Sequence, residues 1–112
     1  MQRFDYRAPR YLVDFPVQLA IEDSTFVGRC KEISTEGMRM EISQPGLPEG
    51  VGTLTMSFDS LAVEISARVT HAEPNAAGLK FIYNSERQRK AVDRLVTLLA
   101  ASAQLPGRLL LN

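Results

Sequence analysis

"CKEISTEGMRMEI", residues 30–42, reads as a strand that stops, turns across residues 34–37 and starts again. Met38, Met40 and Ile42 alternate with polar residues at the period of two that marks a strand with one buried face. A turn at this point needs only one residue that tolerates a positive φ, and Gly37 meets that need. Glu32 and Ser34 are surplus to turn geometry, which makes them candidate functional residues.

Upstream, Val13, Phe15, Val17, Leu19 and Ile21 alternate strictly. Pro16 cannot donate to a ladder, so this strand lies at an edge or keeps Pro16 on an unpaired side. Residues 22–24, "EDS", signal a turn, and residues 25–33 read as the return strand. Downstream, "SQPGLPEGVG" (residues 43–52) is a long connection rich in proline and glycine. Leu54, Met56 and Phe58 alternate, "DS" at Asp59 and Ser60 makes a tight turn, and Leu61, Val63, Ile65, Ala67 and Val69 alternate again, a hairpin. After the connection "AEPNAAG", Leu79, Phe81 and Tyr83 form a last short strand. The period then changes: Val92, Leu95, Val96 and Leu99 recur at helical spacing behind a Ser85/Gln88 capping box. Pro106 and Gly107 close this helix, and "RLLLN" follows as a tail.

Six consecutive antiparallel strands and one terminal helix predict an all-β fold with one helix, a small six-stranded antiparallel β-barrel, because closure removes the aggregation-prone edges of an open sheet. The expected layout is a single domain: an arginine-rich flexible arm over residues 1–11, the barrel over 12–83, the helix over 85–104 and the tail over 105–112.

The chain has 112 residues, 45% hydrophobic and 23% charged, which is ordinary globular usage and enough for one core. Lys+Arg and Asp+Glu both total 13, so no chain-wide field favours nucleic acid or an anionic membrane, and aromatic residues at 7% are few for a base-stacking surface. Cys30 is the only cysteine, which excludes an intramolecular disulfide and a zinc site built on paired thiolates. Its place in a strand predicts a buried thiol, compatible with a reducing cytoplasmic setting. No signal peptide or membrane span is visible.

Enzymatic signals are absent. His71, the single histidine, stands at the expected end of a strand with no cysteine or paired carboxylates at metal-ligand spacing, and no glycine-rich loop opens the helix. No cofactor or metal is expected. What remains is "RFDYRAPRYLVDFPV" at the N-terminus, "EISTEG" at the centre and "GLKF" at residues 78–81. On these residues the chain resembles the PilZ domain family, a six-stranded β-barrel with a C-terminal helix that typically binds the bacterial second messenger cyclic di-GMP. The family pairs Arg-x-x-x-Arg just before the first strand with Asp/Asn-x-Ser-x-x-Gly at a strand turn.

Ser34 and Gly37 match the second motif, and Glu32 stands where the family has Asp or Asn. Arg3 and Arg7 have the spacing of the first motif, whereas Arg10 has the distance from the first strand usual for its second arginine. The resemblance implies that Arg7 and Arg10 contact ligand, with Arg3 as a further candidate and Tyr6 placed to stack on a base. The residue types suit the ligand: guanidinium groups fork onto phosphates, and they also stack on guanine faces or reach Hoogsteen edges. Read without the resemblance, the same arginines form a solvated tail that pairs with Asp5, Asp14 or Glu32. Two functions stay open: a cyclic di-GMP receptor domain of bacterial signalling, or a degenerate barrel acting as a protein-interaction module through an exposed face or its leucine tail. The resemblance further implies a motility or exopolysaccharide system as the setting of any protein partner.

Overall fold

Apolar alternation becomes wall and core in the same step, since each strand sends every second side chain inward. The computed structural model describes residues 8–103. Its elements in chain order are β1 (Tyr11–Ile21), β2 (Ser24–Ile33), β3 (Gly37–Ile42), β4 (Gly50–Phe58), β5 (Leu61–Glu73), β6 (Ala76–Ile82) and α1 (Glu86–Ala103). The strands close into an antiparallel barrel in the order β1-β2-β3-β6-β5-β4, sealed where Val17, Gln18, Leu19 and Ala20 pair with Met56, Thr55, Leu54 and Thr53. The expected six-stranded barrel with one helix is the observed fold. The expected roles of Arg3, Tyr6 and Arg7 and of the leucine tail lie outside the described residues.

Leu19, Cys30, Ile33, Met40, Leu54 and Met56 fill the interior and are fully enclosed. Val92, Leu95, Val96 and Leu99 of α1 join the same buried cluster, and α1 packs against β5 and β1, the two neighbours of β4. A helix reaches the interior of a closed barrel only at an end, so α1 plugs one. Its start is capped as the sequence indicates: the Gln88 N–H donates to Ser85 Oγ at 3.2 Å. The reciprocal bond is shifted by one residue, with Gln88 Oε1 accepting from the Asn84 N–H at 2.7 Å.

Pro16 sits opposite Arg29 of β2, while the β4 ladder begins only at Val17, so the missing donor falls outside the second ladder. The two-residue turns after β1 and β4 each place their first residue in the left-handed region, Glu22 at φ 54° and Asp59 at φ 61°. Three boundaries differ from the sequence reading. Tyr11, assigned to the arm, pairs with Ile33 and starts β1. Gly50 to Gly52, assigned to the long connection, belong to β4 and face Val69, Arg68 and Ala67. Most of "AEPNAAG" is strand, because Ala72 and Glu73 pair with Ala77 and Ala76, which pair in turn with Met40 and Glu41 of β3. Alanine and glycine carry little strand propensity, and here ladders on both sides of β6 override it.

Candidate ligand-binding cleft

Glu32 lies where the alternation of β2 breaks. Phe26 and Cys30 point inward at even positions, yet the next inward residue is Ile33. The cause is a β-bulge: Cys30 faces Met40 and Glu32 faces Arg39, so Lys31 is an extra residue in β2. Without it, Glu32 would point into the core. The same device operates in β5, where Val63, Ile65, Ala67 and Val69 point inward and His71 is next in line. Val69 faces Leu79 and His71 faces Gly78, so Thr70 is the extra residue and His71 turns outward, its side chain 64% exposed. His71 therefore lies within β5, which continues to Glu73, and not at the end of the strand.

The turn between β2 and β3 is fixed from three directions. Ser34 Oγ accepts from the Glu36 N–H at 3.0 Å, and the Ser34 N–H donates to the Gly37 carbonyl at 2.9 Å. Ser34 is thus a turn-closing hydroxyl and the one buried polar side chain among the described residues. From β6, the Phe81 N–H donates to the Glu36 carbonyl at 2.9 Å, and from just past its end the Tyr83 hydroxyl donates to the Thr35 carbonyl. Burial pushes the Tyr83 phenol up to about 12, against a partial offset from the Arg89 guanidinium stacked 4.6 Å above its ring. Gly37 does not serve the turn through a positive φ, as the sequence reading supposed; among the described glycines only Gly46 and Gly50 have one. A Cβ at Gly37 would stand 2.3 Å from the Leu79 carbonyl oxygen, so the residue is glycine because β3 and β6 approach too closely for any side chain.

These features border one cleft of about 510 Å³ on the outside of the barrel, spanning β2, β3, β6 and β5. That size lies within the usual range for small-ligand clefts, roughly 300–1,000 Å³. Four of the six sequence-predicted residues, Arg10, Glu32, Ser34 and Gly37, line it. Arg10, just ahead of β1, reaches Glu32 across 3.4 Å. The cleft also gathers residues that the motifs do not mark: Arg39 of β3, Thr70 and His71 of β5, and Gly78 and Lys80 of β6. Gly78 and Lys80 fall within the "GLKF" stretch already singled out, whereas the only sequence signal of Arg39, Thr70 and His71 is the parity of their strands, which the bulges reset. Beyond the rim, Glu73 bridges His71 at 2.8 Å and Arg39 at 3.5 Å, and these two partners, His71 first, hold its carboxyl below the usual carboxylate range.

Elsewhere the chemistry is quiet. Cys30 is buried, its thiol pushed up to about 12 by desolvation, so it has little thiolate at neutral pH. Among the described residues no three His, Cys, Asp or Glu side chains group as a metal site, and no helix is long and apolar enough to cross a membrane.

The fold is shared with solved structures. The PilZ domain of CeSA from a cellulose-synthesising bacterium superimposes with a TM-score of 0.73 at 21% identity, over 83% of this chain and 99% of that one. The PilZ domain of YcgR from Escherichia coli, solved with c-di-GMP, gives 0.78 at 15% identity, over 90% and 95%. An uncharacterised Legionella protein, Lpg0364, gives 0.52 at 20% identity, over 79% and 89%. No curated protein matches this sequence. The family model described as the PilZ domain matches residues 2–98, nearly the whole barrel and helix, and the chain therefore belongs to the PilZ domain family.

Proposed function

We propose that the cleft binds cyclic di-GMP and that the chain is a receptor domain of bacterial second-messenger signalling, without catalytic turnover and working in the cytoplasm. The observation that carries this reading is convergence: Arg10, Glu32, Ser34 and Gly37, distant in sequence, border one cleft on the barrel surface. In this reading Arg10, with Arg7 and Arg3 ahead of it, forks onto phosphate or stacks on guanine. Glu32, turned outward by the bulge, accepts from a guanine edge with a reach one methylene longer than that of Asp. The Ser34 hydroxyl keeps its own hydrogen to donate, since the turn uses it only as an acceptor. Binding would be read out by a protein partner in a motility or exopolysaccharide system.

A second reading draws on the Arg10–Glu32 pair itself. At 3.4 Å the two charges neutralise each other, which is what a barrel that had given up its ligand and kept a tethered N-terminus would show. The barrel would then serve as a protein-interaction module.

Amide NMR separates the two. On addition of cyclic di-GMP, the receptor reading expects saturable shifts concentrated at Arg10, Glu32, Ser34 and Gly37. Unchanged spectra, or shifts confined to α1 and the far side of the barrel, would reject it in favour of the interaction module.

A further inference from the structure

The half of the cleft away from the arginine and Ser-x-x-Gly motifs is arranged as a grid. On β3 the outward residues are Gly37 and Arg39, on β6 Lys80 and Gly78, and on β5 Arg68 and His71. Register sets them in two rows, Gly37–Lys80–Arg68 and Arg39–Gly78–His71. Gly78 is therefore a bare patch of strand with Arg39 and His71 on either side, each about 4.8 Å away across the sheet, and Lys80 next on the same face.

Neither steric packing nor backbone conformation requires glycine at residue 78, although it lies opposite the β5 bulge. Its φ is not positive, and a Cβ there would meet only ordinary contacts, 3.4 Å to Thr70 Oγ1 and 3.7 Å to the His71 Cβ. This contrasts with Gly37, where a Cβ would collide with backbone. Glycine inside a strand weakens it and often marks a bulge, a bend at a barrel corner, or a place where a ligand or another backbone approaches closely. With no steric need for glycine here and three nitrogen-bearing side chains around it, close approach of a ligand is the reason that fits best. The Thr70 hydroxyl donates to the Gly78 carbonyl at 3.1 Å, which steadies the bare patch and leaves its outer face open. Lys80 is exposed and has no ion pair among the described residues. Arg39 shares Glu73 with His71 through a single nitrogen at 3.5 Å, so most of its donors are uncommitted.

We propose that Gly78, ringed by Arg39, His71 and Lys80, is an anion subsite that receives a phosphate of the cyclic dinucleotide, separate from the contacts made by the N-terminal arginines. The subsite rests on the receptor reading above and adds a second point of attachment to it. The absence of a side chain at Gly78 lets the phosphate settle between the two cations Arg39 and Lys80 and the hydrogen-bonding imidazole of His71, while Glu73 holds Arg39 and His71 at the rim.

The test is calorimetric titration of cyclic di-GMP into the full chain and into three variants, with thermal melts run on each. Gly78→Val suits a strand and should leave the melting temperature within a few degrees while weakening binding at least tenfold by filling the patch. Lys80→Glu should weaken it by a similar factor, and Arg10→Ala reports the motif half independently. Binding by the natural chain that Arg10→Ala impairs, but that Gly78→Val and Lys80→Glu leave within twofold, would overturn the subsite and keep the receptor reading. No binding by the natural chain would overturn both. Should Gly78→Val unfold the protein, Lys80→Glu alone decides.

Discussion

Two bulges face each other across the cleft, Lys31 extra in β2 and Thr70 extra in β5. Each turns outward a titratable residue that strict alternation would send into the core, Glu32 in one case and His71 in the other. They differ in what surrounds them. The β2 bulge leads into a turn pinned by Ser34, by the Phe81 N–H and by the Tyr83 hydroxyl. The β5 bulge leads into a hairpin joined to β3 by backbone pairing and by the Ile42 N–H bond to the Asn75 carbonyl at 3.0 Å, but the side chains it turns outward, His71 and Glu73, are held only by exposed side-chain pairs. Exposed pairs of this kind contribute little, roughly 0–1 kcal/mol, and salt screens them. On one wall the functional groups are therefore fixed by backbone hydrogen bonds, whereas on the other they are exposed side chains held by ion pairs and hydrogen bonds at the surface.

The two glycines on the walls give the largest contrast. Gly37→Ala forces a Cβ against the Leu79 carbonyl and must part β3 from β6, at a cost on the order of 3 kcal/mol. The same change at Gly78 meets no clash and restricts the unfolded chain, so it should be neutral or stabilise by up to about 1 kcal/mol. Urea denaturation of the two variants measures the difference. Equal destabilisation would mean that Gly78 is also required by packing, and the contrast between the walls would collapse.

Tyr83 carries the next effect. Replacing it with Phe removes the hydrogen bond to the Thr35 carbonyl, which should cost about 1 kcal/mol and loosen the turn that holds Ser34. The phenol is an acid whose ionisation is raised in the folded state from 10.0 to about 12. Its contribution is therefore complete below pH 10 and is lost as pH climbs through 12. The natural chain should lose stability over that alkaline window, and Tyr83→Phe should lose less. Identical alkaline profiles for the two proteins would remove Tyr83 from the account of the rigid wall.

The sequence made the barrel legible because six alternating segments and one helical repeat agree with one another. Leu19, Met40, Leu54 and Ile65 fell on their inward faces by period alone. Of the cleft, it exposed the residues belonging to a motif, Arg10, Glu32, Ser34 and Gly37, which border the same space. It misread why Gly37 is glycine, since the close approach of β6 is a long-range contact that no local turn rule contains. It placed His71 at a strand end, because "AEPNAAG" has the composition of a loop while pairing with β3 makes most of it strand. Arg39, Gly78 and Lys80 share a wall only through the register of β3, β6 and β5, and register is fixed by the closed sheet rather than by any one segment.

Whether the cleft is a receptor site is tested most directly by calorimetric titration of cyclic di-GMP at fixed ionic strength into the natural chain and into Arg10→Ala. The receptor reading predicts saturable binding by the natural chain and a loss of about 1.5–3 kcal/mol in the variant, the range for a hydrogen bond to a charged group. Folded protein that takes up no cyclic di-GMP, or binds it equally well without Arg10, would contradict it.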